Sequence, residues 1–506
     1  MAKYSSISPF LATGSQVINF IAQLDSENRD RVARYKENWE FYEGEHWSYP
    51  DSRNVTLNYA ARIVDIKETF LTKNGFQISI PDLGESGTSE PVDRSFIKNV
   101  LDEQWDRNDR ELFFIEMAQV GGVVGDIFIR PSVEIDESDG EPYVRLTILP
   151  SHFVFPVYGG AQGYDRRKML ECHFIYPLYE ESLPIFNLSA SSRTAPQQKK
   201  IVWYRETWTA ETISTYRGDA LISVEQNLLG EIGIIHIQNY PNKNDDFGIS
   251  DLKGIIPLQR VFNEKCTDVS DIIDYYASPV TVAYGVRFDT IERGPDKIWH
   301  VNNPDGKIEN LKLDDDLNAT KDFLDRIYQA ILDISGVPHQ AMNPTDKISN
   351  TPGVAMHMSF MPLVENRNKK ILTYGKGIEN LNRIILKTYA LFDAEFKFKL
   401  DKVKYRRYFT KVNFGNPLPR DQSLELDLMQ KRLEMGISSR VEELMILGEG
   451  EADARRKVKE ADEDFKARLE IKAAMQVKND EKTFGKQTTH PNPVVQGDKV
   501  SKQNLK

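Results

Sequence analysis

Ile255-Ile-Pro-Leu-Gln-Arg-Val-Phe-Asn-Glu-Lys-Cys-Thr-Asp-Val-Ser-Asp-Ile-Ile-Asp-Tyr-Tyr276 decides the reading of this 506-residue chain. Ile255, Leu258, Val261, Phe262, Val269, Ile272, Ile273 and Tyr276 recur at helical spacing, so a helix starting near Ser250 should turn one apolar face inward. Arg260, Asn263, Glu264, Thr267, Asp271 and Asp274 fall on the opposite face, which is net acidic. A second helix is predicted from Leu317 to Ser335. Its inward face is Phe323, Leu324, Ile327, Ile331 and Ile334, and its outward one is Asp322, Asp325, Gln329 and Asp333, with Arg326 the one opposing charge. Between the two lies a short β-like insert, Val280 to Leu313, closed by Asp314-Asp-Asp316, a negative cluster suited to a helix N-terminus. An acidic stripe alone is most simply a solvated face. Two of them flanking a small β insert give it more weight.

Downstream, His339 to Thr351 reads as a polar loop, and a helix of about forty residues is expected from Pro352 to Phe392. Pro362 lies inside that pattern and should bend it near Ser359 to Pro362, because an interior proline removes a backbone bond. Residues 396–415 read as strand, and Pro417-Leu-Pro419 marks a boundary. Beyond it the chain is charged and helical: Asp421 to Glu434 stopped by Gly436, then Ser439-x-x-Glu442 as a capping box opening Val441 to Leu447, then Glu451 to Met475. Residues 476–506 carry six Lys against three acidic residues and almost no apolar side chains, the composition of a flexible tail.

Upstream, helices are predicted from Leu24 to Trp47 with Gly44 as the stop, from Thr56 to Lys73, and from Asp93 to Gln119. After Gly121-Gly122 the period changes to two. Val124 to Glu134 and Tyr143 to Leu149 form an expected hairpin, and Met169 to Tyr176, Ile201 to Thr209, Thr212 to Tyr216 and Ile232 to Gln238 make residues 123–240 mostly sheet. Helices and strands are segregated along the chain, so the fold class is α+β. The hairpin turn Asp136-Glu-Ser-Asp-Gly-Glu141 slightly resembles a calcium loop but lacks its flanking helices and 12-residue spacing.

Composition narrows the function. The net charge of −11 argues against an ordinary nucleic-acid binder, which neutralises phosphates with clustered Lys and Arg. Two cysteines, Cys172 and Cys266, exclude a disulfide scaffold, a zinc ribbon and an iron–sulfur protein. No stretch reaches the roughly 18 consecutive apolar residues of a membrane span, and Met1 to Asn19 has no secretory pattern, so no membrane partner is expected. The chain has no G-x-x-x-x-G-K-[ST], H-E-x-x-H, C-x-x-C or G-x-S-x-G, and its eight His never pair at i, i+4. No catalytic residue, metal or cofactor is therefore expected.

The order of these parts resembles a portal protein of a tailed bacteriophage, the ring at one vertex of the head through which the genome enters and leaves. The residues that carry the likeness are Asn38-Trp-Glu-Phe-Tyr-Glu-Gly44, Asn58-Tyr-Ala-Ala-Arg-Ile-Val-Asp65, Lys73-Asn-Gly-Phe76 and Phe247-Gly-Ile-Ser-Asp-Leu252. Tyr276-Ala-Ser-Pro279, Asp333-Ile-Ser-Gly-Val-Pro338, Ser349-Asn-Thr-Pro-Gly-Val354 and Ile437-Ser-Ser-Arg-Val-Glu442 continue it, so that it spans residues 35 to about 475. No one of them is diagnostic; the likeness rests on their order and spacing together.

The resemblance implies a dodecameric homo-oligomer with long stem helices, a mixed α/β wing, a small β-containing clip and a helical crown. Residues 1–249, with 352–392 and 393–418, would form the wing; 250–278 and 317–336 the stem; 279–316 the clip; 337–351 the tunnel loop; 419–475 the crown. It implies a tunnel loop that faces DNA with His339, Gln340, Met342, Asn343, Thr345, Lys347 and Asn350, and an acidic stem stripe of Glu264, Asp271, Asp274, Asp322, Asp325 and Asp333. The clip would meet an adaptor through Arg287, Asp289, Arg293, Asp296 and Lys297. Implied partners are double-stranded DNA, the large terminase, a head-completion adaptor, the major capsid protein and the scaffolding protein. The location would be the virion, with synthesis in the host cytoplasm. Two other readings stay open: a nuclease or phosphoesterase using clustered carboxylates with Mg²⁺, and a non-ring structural adaptor.

Overall fold

A computed structural model describes residues 17–80, 95–159, 168–181, 199–277, 281–284, 305–310, 317–343, 358–402, 410–417, 422–446 and 451–484, apart from a few single positions. The α+β class holds. The chain divides into two compact units, residues 1–417 and 418–506, at the Pro417-Leu-Pro419 boundary.

The first unit opens with α1 (Val17–Glu43), ended by Gly44 at a φ of +88°. Next come α2 (Tyr59–Thr72), whose N-cap Asn58 accepts a 3.1 Å bond from the Ala61 amide, and strand β1 (Phe76–Ser79). The single helix expected over 93–119 is two, α3 (Ser95–Arg107) and α4 (Arg110–Val124). Asp109, at a φ of +51°, breaks the run, and Asn108 holds the break by bonding the Val144 carbonyl and the Leu146 amide across to the sheet. Strands β2 (Asp126–Ile135) and β3 (Pro142–Leu149) form the expected hairpin.

Strands β4 (Val154–Tyr158), β5 (Met169–Glu181), β6 (Lys199–Trp208), β7 (Thr212–Arg217) and β8 (Ala220–Gln226) make an antiparallel sheet in sequence order. Strand β9 (Ile235–Gln238) returns beside β2, giving the order β3-β2-β9. Strands β4 and β8, like β1, are additional to the expected ones. Pro156 breaks the pattern of the first, and Ala220–Gln226 is so exposed that it carries no period-two signal.

Then come α5 (Ile256–Ala277), the two-stranded pair β10 (Thr281–Tyr284) and β11 (Lys307–Asn310), and α6 (Leu317–Ser335). A four-residue helix α7 (His339–Met342) precedes α8 (Met361–Phe392) and α9 (Ala394–Lys402). Pro362 stands in the first turn of α8, where its missing N–H has no intrahelical partner to lose. Residues 358 and 359 are already helical and Phe360 is a turn, so the helical run is interrupted within the Ser359–Pro362 stretch where a bend is expected, and Pro362 opens the segment that follows. Residues 394–402 are helix, not strand: Phe396 and Leu400 are buried four apart while Phe398 between them is 61% exposed. Strand β12 (Lys411–Phe414) pairs antiparallel with β1, so the C-terminal end of the unit returns beside the strand that follows α2.

The largest core lies where α3, α4 and α8 cover the β3-β2-β9 sheet, with Trp105, Phe114, Ile127, Tyr374, Leu381 and Ile384 buried. The Trp105 indole donates to Asn382 at 2.7 Å, so the one polar atom of that ring is satisfied. A second core joins this sheet to the five-stranded one through Phe128, Cys172, Phe174 and Trp208.

The second unit contains α10 (Gln422–Glu434), α11 (Arg440–Ile446) and α12 (Glu451–Phe484). Gly436 ends the first at a φ of +67°. The capping box forms as read: the Ser439 amide donates to Glu442 at 2.8 Å and the Glu442 amide to Ser439 Oγ at 3.2 Å. Helix α12 runs to Phe484, so the first nine residues of the expected flexible tail are helical. Charged side chains of both signs alternate through that stretch and do not stop a helix.

Candidate channel hairpin and its anchor

The α5–β10–β11–α6 excursion is rooted in the first unit. Phe262 of α5 and Ile327 and Ile331 of α6 pack with Ile63 of α2 and Leu363 of α8. Beside this root and beyond it the apolar face is only partly covered: Val261 is 38% and Ile334 57% exposed at the base, and Ile273 55% and Phe323 47% further out. The inward placement expected of these four residues does not hold within a single chain.

Two residues expected on the outer face are instead the clasp of α5. Asn263 is buried and accepts from the Leu57 amide at 3.2 Å, while its Nδ2 lies 2.6 Å from His46 Nδ1. Thr267 Oγ1 accepts from the Val55 amide at 3.0 Å, and Gln259 donates to the Leu57 carbonyl at 2.7 Å. Residues 44–58 thus strap the base of α5. Burial lowers the pKa of His46, whose neutral ring fits this contact.

Glu264, Asp271 and Asp274 on α5 and Asp322, Asp325 and Asp333 on α6 are all exposed. None of the six forms an ion pair among the described residues. At 3.6 residues per turn, Asp322, Asp325 and Asp333 lie within about 80° of arc on α6. The hairpin therefore presents a solvated, net anionic stripe, with Arg326 the one cation beside it on α6, able to repel a polyanion at short range.

At the foot of the hairpin, His339, Gln340 and Met342 belong to α7 and not to an irregular loop; the turn starts at Pro338. The His339 ring stands edge-on to Tyr328 at 6.1 Å, and Met342 and Asn343 line an open cavity of about 280 Å³ with Tyr59, Arg62 and Tyr328. Thr345, Lys347 and Asn350 lie outside the described residues, as do Arg287, Asp289, Arg293, Asp296 and Lys297.

Sequence reasoning missed the anchor of the hairpin. Asp251, fully buried one turn ahead of α5, bonds Lys67 Nζ of α2 at 3.0 Å, Lys370 Nζ of α8, and the Tyr240 hydroxyl at 3.2 Å. Burial raises the carboxyl pKa, but the two ammonium groups outweigh it and hold the group ionised. Burial also lowers Lys370, and pushes Glu68 beside it up to about 7, with Asp65 adding to that rise. The preceding residues reinforce the joint: Ser250 Oγ lies 2.6 Å from the Val123 carbonyl, and the Gly248 amide donates to Asp126 Oδ1 at 2.6 Å. Asp126 in turn accepts from Tyr35 at 2.6 Å and lies 2.8 Å from His236 Nε2. The one signal in the sequence was the run Phe247-Gly-Ile-Ser-Asp-Leu252, whose partners are too remote in sequence to be read.

A family model described as phage portal protein, SPP1 Gp6-like, matches residues 21–463, from α1 into α12. The chain belongs to that family. Its members are structural components of the capsid, and the match takes in the strap, the Asp251 anchor and the whole hairpin. A comparison with curated proteins returns no match. Among the described residues no helix is long and apolar enough to cross a membrane, and no group of three or more His, Cys, Asp or Glu could hold a metal ion.

Proposed function

We propose that about twelve copies of this chain form a closed ring, a cyclic assembly in which each copy presents one surface to the next. The ring is a channel at one vertex of the capsid. The genome is packaged and ejected through it, and it carries the large terminase first and the head-completion adaptor afterwards. Residues 250–278 and 317–336 are the stem and 279–316 the clip; 337–351 is the tunnel loop. Residues 1–249 with 352–418 are the wing, 419–475 the crown, and the tail follows.

The observation that carries the reading is the hairpin itself: a solvated acidic stripe beside apolar side chains that one chain leaves bare. Side chains such as Ile273 and Phe323, each about half exposed, are what a neighbouring stem would cover. The carboxylates then face the duplex, and like charge keeps it from adsorbing over a screening length of about 8 Å. A basic wall would bind phosphates by counterion release and brake the passage. In the tunnel loop, Lys347 makes transient phosphate contacts, and Lys347→Ala should lower the packaging rate or genome retention.

Mass photometry of the purified full chain without DNA tests the ring. The expected species is about twelve times the 58.1 kDa chain. Particles of one or two chains over the whole accessible range of concentration and salt would contradict it.

A further inference from the structure

Helix α12 is longer than anything in its own unit can cover. Near its start Ala454 is fully buried, and Asp462 takes a 2.6 Å ion pair from Arg440 at the head of α11. From there to Phe484 it continues for about 33 Å at about 1.5 Å per residue. Ala454, Val458, Ala461, Phe465 and Leu469 fall within about 40° of one line along it. Yet Phe465 is 62% and Leu469 51% exposed. An apolar seam on an otherwise charged helix stabilises it only when something packs on the seam.

The same unit holds a shallow, open groove lined by Met429, Gln430, Leu433, Glu434 and Arg440. Neither Phe465 nor Leu469 of the same chain lines it, although the Arg440–Asp462 pair joins their helix to its edge. The charges are complementary. Glu434 on the groove forms no ion pair among the described residues, and Arg468 and Lys472, close to the seam, form none either.

We infer that the occupant of the groove is a second copy of this chain: the Phe465–Leu469 seam of one copy docks between α10 and α11 of the next, with Arg468 or Lys472 meeting Glu434. Seam and groove are different surfaces, so the contact is head-to-tail and propagates around a closed ring. The inference rests on the ring reading and adds to it the crown surfaces that join neighbours.

The test is cross-linking of the full chain carrying Leu433→Cys and Leu469→Cys together, with a short bismaleimide. The two single variants control for Cys172 and Cys266. The double variant should give a ladder of covalent multimers on a denaturing gel, and each single variant only the single chain. Rings that assemble normally but yield no ladder overturn the docking and leave the ring intact. Dimers from Leu469→Cys alone show seam against seam and also overturn it. A wild-type chain that stays monomeric overturns both. Charge reversal gives an independent readout should the cysteine pair impair folding: Glu434→Arg and Arg468→Glu should each lower the ring fraction several-fold, and their combination should restore it. Absence of that rescue with Lys472→Glu as well as with Arg468→Glu counts against the contact.

Discussion

Asp251→Asn keeps the shape of the anchor and removes its charge. Lys67 and Lys370, 7% and 2% exposed, are then two buried ammonium groups with no carboxylate between them. Breaking a buried ion pair by removing one partner costs about 3–5 kcal/mol, because the surviving charge is desolvated without compensation. Here two survive, but Lys370 is already depressed by burial and can lose its proton, which caps the loss near the lower end of that range. The sign of the pH dependence follows. A lysine whose folded pKa lies below its unfolded value of about 10.4 binds fewer protons folded than unfolded, so stability rises with pH across that interval. Asp251→Asn should therefore lose about 3 kcal/mol at pH 7 and less at pH 9. Urea unfolding at low protein concentration, followed by tryptophan fluorescence, to which the buried Trp105 contributes, measures it. Replacing the whole cluster by Lys67→Met, Asp251→Leu and Lys370→Met should recover most of the loss, as apolar substitutes for buried ion triads do. A loss below about 1 kcal/mol for Asp251→Asn at pH 7, or no difference between the two pH values, would refute the reasoning.

Three further outcomes are expected. Gly248→Ala places a Cβ on the Gly125 carbonyl oxygen, where backbone must move, and should cost about 1–3 kcal/mol in the same unfolding assay. Glu68, raised to about 7, is stabilising while protonated in both states and loses that advantage as pH climbs from about 4.5 through 7. Glu68→Gln should therefore stabilise the chain at pH 8 by about 1 kcal/mol, the shift being discounted for solvent screening of a half-exposed group, and should be neutral at pH 4. Asp322→Lys with Asp325→Lys should slow DNA translocation in a reconstituted packaging reaction, and steepen its salt dependence by about 0.9 in log–log slope for each phosphate newly contacted.

The helices of the hairpin were legible because their apolar residues repeat over five or more turns; α6 begins and ends where its pattern does, at Leu317 and Ser335. The capping box at Ser439 was legible for a similar reason: both partners lie within one turn. Short patterns failed where two periods fit equally well. Phe396-Lys-Phe-Lys-Leu400 alternates like a strand, yet Phe396 and Leu400 also share a helical face, and packing on Phe96 and Tyr389 selects the helix. Asn263 and Thr267 looked like solvated polar residues because the strap that buries them comes from the far end of the chain. Asp251 was hidden in the same way. A buried ion cluster has no local signature when its members come from three distant segments, and only the unusual run Gly248-Ile-Ser-Asp251 hinted at it. The carboxylates of the two stripes are exposed, as their spacing implies, but the exposure of apolar neighbours such as Phe323 has no sequence signal, since periodicity assigns a face and cannot say which molecule covers it.

The central claim is that copies of the α5–α6 hairpin stand around a hole wide enough for a duplex with their carboxylates turned toward it. Electron-microscopic class averages of the purified chain measure this most directly. The expected result is end-on views with a central opening of at least about 20 Å, the width of a helix pair of side-chain-bearing cylinders or of a DNA duplex, and a map that places Asp322 or Asp271 on its wall. A ring with a closed centre, or an open one whose wall carries neither stripe, would contradict it.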